Sequence, residues 1–275
     1  MRSPGDDADR PRALRAKPSR SAPAAGPRPY VLFAIPCFNE AQNLGGLLER
    51  FVEVNRLHGA SFETRVAIVD DGSVDNPAGV VERFLPCLSV RTLKHPRNLG
   101  LSAAVNTAFR EFHAAVTSAD APIAVGIMDG DDSHNPLTIP AMLDRIVAGH
   151  DVVVASRYRY GSVVVGVVWW RQVLSAGMAL LFKAVRNITG IRDYSCGFRM
   201  YSPAAVRALD ARYGENVVTR PSFACTVELL RRCASVGCLM TEVPLVLRYD
   251  RKRGESKLPF GRTIVQTLGV LLSRM

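Results

Sequence analysis

The sequence lacks the long hydrophobic run that a membrane-spanning helix needs. No uninterrupted apolar stretch of about 20 residues, the length that crosses a bilayer, occurs among its 275 residues. The amino-terminal residues are rich in Arg, Pro and Ala and lack the apolar core of a secretory signal. We therefore expect neither an ordinary transmembrane helix nor a secretory signal.

Cysteine motifs and dinucleotide fingerprints are also missing. The six cysteines form no C-x-x-C pair and no Cys/His metal spacing, so we expect reduced, mostly buried thiols in a cytoplasmic protein. No G-x-G-x-x-G follows the first predicted strand, which excludes a dinucleotide-dependent dehydrogenase. No aromatic RNA motif or helix-turn-helix pattern accompanies the basic residues, so we expect no nucleic acid partner.

Basic residues outnumber acidic ones. The 35 Lys and Arg against 25 Asp and Glu give a net charge of +10 at pH 7. Residues 1–29 combine Arg with Pro, Ala and Ser without a hydrophobic period, which predicts a disordered basic tail. A basic surface suits an anionic membrane, a nucleic acid or a phosphorylated substrate, and the charge alone does not choose among them.

From Tyr30 onward, short apolar runs alternate with segments of helical periodicity. The pattern predicts strands at 31–35, 66–69, 90–93, 123–128 and 152–155, and helices at 43–57, 76–85 and 102–115. Alternating β and α units with short connections predict an α/β fold built on a mostly parallel, doubly wound sheet. Such a sheet binds its ligands at the carboxyl ends of its strands.

Carboxylates follow two of these strands. Asp70 and Asp71 end one strand, and Asp129 and Asp131 follow a later one. Carboxylates gathered at one edge repel one another unless a cation joins them. Oxygen ligands of this kind suit Mg²⁺ or Mn²⁺, with open positions for the oxygens of a diphosphate. A solvated turn is the alternative for Asp129-Gly130-Asp131.

Several motifs in fixed order resemble the family 2 glycosyltransferases of the GT-A fold, and more narrowly the polyprenol- and dolichol-phosphate mannose synthases. The motifs are PCFNE (36–40), DDGS (70–73), NLGL (98–101), DGDDSHNP (129–136), SRY (156–158), DYSCGFR (193–199), EVP (242–244) and RGESKL (253–258). The resemblance covers roughly residues 30–265. We therefore predict one glycosyltransferase domain over residues 30–262.

The resemblance implies roles for individual residues. Those implied for the nucleotide of the donor are Pro36, Phe38, Glu40, Asp70 and Asp71. The metal, and through it the sugar diphosphate, would be held by Asp129 and Asp131. Those implied for the acceptor phosphate are Arg157, Arg171 and Ser175, with a basic residue among Arg251, Arg253 and Lys257. The implied catalytic residues are Asp131, Arg157 and Asp193, and Asp193 is the candidate base if the acceptor is a hydroxyl.

Simpler readings exist for some of these residues, and one position departs from the family. Asp70 could cap a helix, and Arg157 could form a surface ion pair. Members usually carry Gln where this chain has Ser133. A serine is shorter than that Gln, so Asp132 or water would complete the metal site.

The resemblance implies an inverting, metal-dependent transfer of a sugar from a GDP- or UDP-sugar to a polyprenyl phosphate. A hydroxyl acceptor and a non-catalytic, membrane-docked nucleotide-sugar-binding protein are the alternatives. The pair Trp169-Trp170 beside Arg171, within the apolar segment 163–182, suits interfacial helices. Residues 263–275 form an amphipathic segment suited to a bilayer surface. We therefore predict peripheral binding to the anionic inner face of the membrane.

Overall fold

The computed structural model of this chain describes residues 28–168, 177 and 187–254. The strands within these ranges are β1 (Tyr30–Cys37), β2 (Glu63–Asp70), β3 (Ser89–Lys94), β4 (Ala124–Ile127), β5 (Val152–Ser156), β6 (Val163–Val165), β7 (Arg199–Tyr201), β8 (Met240–Pro244) and β9 (Val246–Arg248). The helices are α1 (Ala41–His58), α2 (Pro77–Glu82), α3 (Leu101–Val116), α4 (Ile139–Val147), α5 (Pro203–Tyr213) and α6 (Ala224–Ser235). Short 3₁₀ turns occupy Pro136–Thr138 and Tyr249–Arg251.

Each strand and helix predicted from the apolar pattern is present, with ends that differ by a few residues. The predicted tail before residue 28, the tryptophan pair and the carboxyl-terminal segment lie outside the described residues. No helix within the described ranges is long and apolar enough to cross a membrane.

Within the described ranges, a seven-stranded sheet runs in the order β3-β2-β1-β4-β7-β5-β8. The chain moves outward from β1 to β2 and β3, then returns through α3 to β4 on the other side of β1. Because parallel crossovers are right-handed, this reversal puts α1 and α3 on opposite faces of the sheet. The strands are therefore buried on both faces, and β1 is apolar along nearly its whole length.

Helix α1 shows how the core forms. Its apolar side chains recur at helical spacing, and all of them are fully buried: Leu44, Leu47, Leu48, Phe51 and Val54. Burial of each such side chain contributes about 1.5–3 kcal/mol to folding. The stripe holds α1 along the sheet, so that its first turn lies beside the loop that follows β1.

Strand β7 is antiparallel to both of its neighbours, β4 and β5. The apolar pattern did not predict this three-residue strand. Because β7 runs backward, β5 is parallel to β4, and their carboxyl ends lie at the same edge of the sheet. The residues that precede β7 arrive at that edge as well, which brings the segment 193–198 there.

A second, two-stranded sheet pairs β6 with β9 in parallel. It is tied to the main sheet by backbone hydrogen bonds from Leu245 N to Ser156 O and from Arg248 N to Ser133 O. These bonds place the chain after β9 against the loop that follows β4.

Candidate active site

The order of the strands reverses between β1 and β4, and such a switch point opens a crevice at the carboxyl ends of the strands. We call the loops at this edge the carboxyl rim: residues 36–40 after β1, 70–73 after β2, 129–134 after β4, and 156–157 after β5. The loops after β1 and β4 meet closely, since a Cβ on Gly130 would lie 3.1 Å from Pro36 O. The predicted donor and metal residues are therefore neighbours at the switch point.

Asp131 is held by its own chain on both carboxylate oxygens. The backbone N and the hydroxyl of Ser133 donate hydrogen bonds to Oδ1 over 3.1 and 2.6 Å. Lys252 Nζ donates to Oδ2 over 2.8 Å. Burial by itself would raise the pKa of Asp131, but the charges of Lys252 and His134 and the hydrogen bonds from Lys252 and Ser133 together lower it. Ser133 thus orients the Asp131 carboxylate.

Asp129 is more open, with 37% of its side-chain surface exposed. Its pKa is raised, first by the protein atoms that displace water around it and then by the charge of Asp131. A Cβ on Gly197 would lie only 2.9 Å from Asp129 Oδ1, so glycine leaves the room that this carboxylate occupies. The buried His134 Nδ1 lies 4.0 Å from Asp129 Oδ2 and has no hydrogen-bond partner among the described residues.

Asp132, the residue considered as a replacement for the family's Gln, faces a different partner. Its Oδ2 accepts a short hydrogen bond from Arg50 of α1. Within residues 28–168, 177 and 187–254, no group of three or more His, Cys, Asp or Glu side chains is arranged to hold a metal ion. If Asp129 and Asp131 hold a cation, as predicted, oxygens from a substrate or water have to complete its shell.

The two predicted donor residues after β2 are engaged differently. Asp70 Oδ1 accepts from Ser73 N over 2.8 Å, which shapes the turn that follows β2. Asp71 accepts from Leu99 N, Gly100 N and His95 Nδ1 over 2.7–2.9 Å. Asp71 therefore anchors the start of α3, and its role toward the donor stays a prediction.

The loop after β1 holds the other predicted donor residues. Asn39 adopts a positive φ of 52° and accepts from Val74 N, which joins this loop to the one after β2. Glu40 Oε2 accepts from Asn43 Nδ2 over 2.6 Å at the start of α1. The loop that holds Pro36, Phe38 and Glu40 is thus joined to the loop that begins at Asp70, and their shared role toward the donor stays a prediction.

A small crevice, about large enough for a water molecule, opens beside Asp129. Its wall is formed by residues of the carboxyl-edge loops and of α3, β4, β7 and α6: Pro36, Leu101, Val105, Ile127, Asp129, Gly197, Arg199, Tyr201, Thr226 and Leu229. Arg199 is almost completely buried there and donates to the backbone oxygens of Thr226 and Tyr194. Arg199 ends the motif DYSCGFR, but no role was predicted for it, because a buried arginine is not visible in a hydrophobic pattern.

Arg157 and Asp193 form an ion pair at the end of β5. Asp193 is fully buried and accepts from Arg157 Nε, Nη2 and backbone N over 2.7–3.0 Å, and from Cys196 N over 3.1 Å. Burial opposes ionisation of Asp193, but the Arg157 guanidinium prevails and the pKa of this carboxyl is lowered. Glu242 Oε1 accepts from the backbone N of Arg192 and Asp193, which fixes the loop.

Cys196 lies 3.9 Å from His134 Nε2, but it is not an activated nucleophile. Burial raises the pKa of its thiol to about 12. A thiol in this environment stays protonated at neutral pH. We assign it to packing.

The basic residues after β9 gather near the rim. Asn43 and Gln42 of α1 hydrogen-bond the backbone of Arg253 over 2.8–3.1 Å. The pKa of Arg251 is lowered by partial burial and by the like charges of Arg50 and Arg248. Positively charged side chains that repel one another form a surface that is suited to bind an anion. Lys252, which contacts Asp131, was not singled out from the sequence, although it stands between two arginines that were.

The predicted acceptor residues Arg171, Ser175 and Lys257 lie outside the described residues. The structure brings together Asp129, Asp131, Arg157 and Asp193 at the rim and the small crevice, and it places Arg251 and Arg253 on the adjacent loop. Their functional roles stay predictions.

Comparisons with known proteins identify the family of this chain. Residues 33–209 match the family model for glycosyl transferase family 2. The chain is 31% identical over 240 residues to a dolichol-phosphate mannosyltransferase of Pyrococcus furiosus, a match that covers 86% of this chain and 61% of that protein. It is 27% identical over 238 residues to a polyprenol monophosphomannose synthase of Mycolicibacterium smegmatis, covering 84% of this chain and 82% of that one.

A solved structure shares the fold. Glucosyl-3-phosphoglycerate synthase from Mycobacterium tuberculosis, crystallised with Mn²⁺, uridine diphosphate and phosphoglyceric acid, superposes with a TM-score of 0.62 at 17% identity. The match covers 89% of this chain and 78% of that one. The chain therefore belongs to glycosyl transferase family 2. The predicted family and the predicted GT-A fold with its mostly parallel sheet are confirmed.

Proposed function

We propose that this chain transfers a sugar from a nucleotide diphosphate sugar to a polyprenyl phosphate, with inversion at the sugar carbon. The observation that supports it best is the pairing of Arg157 with Asp193 at the rim. This pairing favours an anionic acceptor, which a positive charge attracts, over a hydroxyl acceptor, which a base has to deprotonate. The names of the Pyrococcus and Mycolicibacterium relatives support the same class of acceptor.

A phosphate acceptor needs no base from the protein. Its second pKa is about 6, so it is largely dianionic near neutral pH and can attack unaided. A hydroxyl acceptor has to lose a proton, and Asp193 is the rim carboxylate that the resemblance offers for that purpose. Asp193 has a lowered pKa and four hydrogen-bond donors around it, so it is poorly suited to accept a proton.

The carboxylates of Asp129 and Asp131 suit a hard divalent cation such as Mg²⁺ or Mn²⁺. Mg²⁺ in proteins is usually held by one or two carboxylates, with waters and substrate phosphates in the other positions. When bound, the cation would offset the negative charge that develops on the leaving nucleotide diphosphate. Ser133 orients Asp131, and the space at Gly197 accommodates Asp129.

The remaining rim residues fit the two substrates. In our proposal Pro36, Phe38, Glu40 and Asp70 bind the nucleotide, GDP or UDP, and Asp129 and Asp131 face its diphosphate. The acceptor phosphate meets the guanidinium of Arg157 and the basic residues after β9. Arginines are needed there because two anionic substrates repel each other.

The first prediction tests transfer and its metal requirement together. The full chain is incubated with radiolabelled GDP- and UDP-sugars, polyprenyl phosphate and Mg²⁺ or Mn²⁺, and charged glycolipid is measured. We expect product with the wild type, none with Asp131→Ala and at most a trace with Asp131→Asn, because an amide cannot replace the anionic ligand. A chelator should stop the reaction and added cation should restore it.

The matched control is Asp144→Ala, an exposed carboxylate on α4, which should leave transfer unchanged. Full activity in chelator contradicts the metal assignment. Product that appears only with a hydroxyl acceptor contradicts the lipid phosphate. Binding of a nucleotide sugar without any transfer supports the non-catalytic alternative, which rests on the serine at position 133.

A further inference from the structure

Lys252 lies on the Asp131 oxygen that a divalent cation needs. Its Nζ is 2.8 Å from Asp131 Oδ2, and only 12% of the lysine side chain and 13% of the aspartate side chain are exposed. A cation at about 2.1 Å from the same oxygen would lie within about 5 Å of the ammonium, where like charges repel strongly in a partly buried site. The cation and Lys252 therefore compete for Asp131.

The position of Lys252 is set by the residues next to it. Arg253 N donates to Asn43 Oδ1 over 2.8 Å, and Arg253 O accepts from Asn43 and Gln42 over 3.1 and 3.0 Å. On the other side, Lys252 N donates to Tyr249 O and closes the 3₁₀ turn. The loop 249–254 is thus docked on the start of α1, with its lysine directed into the rim.

We propose that Lys252 is an internal stand-in for the divalent cation. The ammonium neutralises Asp131 until a cation takes that oxygen, and the displaced Lys252 then turns to the phosphate oxygens of the substrates. The exchange replaces one ion pair by another and breaks no covalent bond. This inference rests on the proposed function, since it takes Asp131 as the metal ligand.

The exchange couples the cation to the acceptor side of the site. Arg251 and Arg253, two predicted acceptor residues, flank Lys252 in the same loop. When the lysine leaves Asp131, the loop loses this contact with the rim and is held by the bonds of Arg253 with Gln42 and Asn43. The cation would therefore bind before the acceptor phosphate does.

The first test measures binding of Mn²⁺ alone to the full chain, by the paramagnetic resonance signal of free Mn²⁺, without substrates. We expect Lys252→Met to bind Mn²⁺ about tenfold tighter than the wild type, because a charge-assisted contact no longer has to be broken. Arg145→Met is the matched control. It removes one positive charge at an exposed position near the end of α4, at the opposite edge of the sheet, and should leave the affinity unchanged.

The second test follows the loop itself. Deuterium uptake of the peptide that spans 249–254 should rise when Mn²⁺ is added to the wild type. In Asp131→Ala the lysine has lost its partner, so uptake should be fast with and without Mn²⁺.

The outcomes separate this inference from the proposed function. If Lys252→Met binds Mn²⁺ no tighter than the wild type, or if Mn²⁺ leaves the uptake of 249–254 unchanged, the stand-in role is wrong while the metal site stands. If Asp131→Ala binds Mn²⁺ as well as the wild type, Asp131 is not a ligand, and the metal assignment falls together with this inference.

Discussion

At the scale of single residues, Asp193 is a carboxylate whose contacts suit it to orient a neighbouring side chain instead of transferring a proton. It is fully buried, and each of its oxygens receives hydrogen bonds from the guanidinium of Arg157 or from the backbone. A buried ion pair of this kind holds its partner in one orientation. In our proposal Asp193 orients Arg157, and Arg157 binds the acceptor phosphate.

Asp193→Asn should lower the free energy of unfolding by about 3 kcal/mol, because it leaves the Arg157 charge unpaired in a partly buried site. The folded-state pKa of Asp193 is lowered, so its contribution is complete above the unfolded value of about 3.9 and is lost as the pH falls through the folded value. Urea unfolding should therefore show the same difference between pH 5 and 8 and a shrinking one below about pH 4. Asp250→Asn, which loses only an exposed pair with Arg248, should change stability far less.

The pH profile of transfer by Asp193→Asn distinguishes positioning from base catalysis. A positioning role predicts a lower rate, since Arg157 loses its anchor, with a profile between pH 5 and 9 of the same shape as the wild type. Loss of the acidic limb would identify Asp193 as a base, and the acceptor would then be a hydroxyl.

At the scale of elements, the start of α3 depends on a residue from another strand. Helix α3 begins after Gly100, which has no side chain to cap it. Asp71, which follows β2, instead accepts from Leu99 N and Gly100 N. A carboxylate at this end also interacts favourably with the helix dipole. Asp71 thereby joins the rim to a helix that lines the small crevice.

Asp71→Ala should loosen this junction. We expect the free energy of unfolding to fall by about 1–3 kcal/mol, because two partly buried amide donors and the buried His95 ring lose their acceptor. Deuterium uptake should rise in the peptide that spans 99–104. The exposed Asp144→Ala serves as the control for loss of one negative charge. Unchanged uptake at 99–104 would show that the anchor is dispensable, and a direct role of Asp71 toward the donor would then be favoured.

At the scale of the whole molecule, the charge and the apolar segments predict contact with a membrane surface. The net charge is +10. Tyr160, just before the predicted interfacial segment 163–182, and Val168, within it, are both exposed. Basic residues are attracted to anionic lipid within about a Debye length, and apolar residues add a contribution that salt does not screen.

Co-sedimentation of the full chain with liposomes should increase with the fraction of anionic lipid and decrease with salt. Removal of residues 263–275 should weaken binding further, because that segment supplies apolar side chains. Neutral liposomes at the same lipid concentration are the control. Equal recovery in the supernatant with and without anionic liposomes would contradict peripheral binding.

The strands β1 to β5 and the helices α1 to α3 were predictable because each depends on a local pattern. An apolar run such as β1 and a helical stripe such as that of α1 repeat within a few residues, and burial follows from the repeat. The residues that end the parallel strands were predictable as neighbours for the same reason, since parallel strands present the same end to one edge. Asp70 and Asp129 needed no knowledge of distant contacts.

The tertiary structure alone decided which of these residues face one another. Lys252 meets Asp131 across 121 positions of sequence, and Asp193 meets Arg157 across 36. The short antiparallel β7 brings Asp193 to the rim, and its three residues are too few to show a period. An ion pair depends on which loops the order of strands brings together, and that order is a property of the whole sheet. The sequence by itself determined the family, the sheet and the chemistry of its edge, while the fold determined how each charge at that edge is engaged.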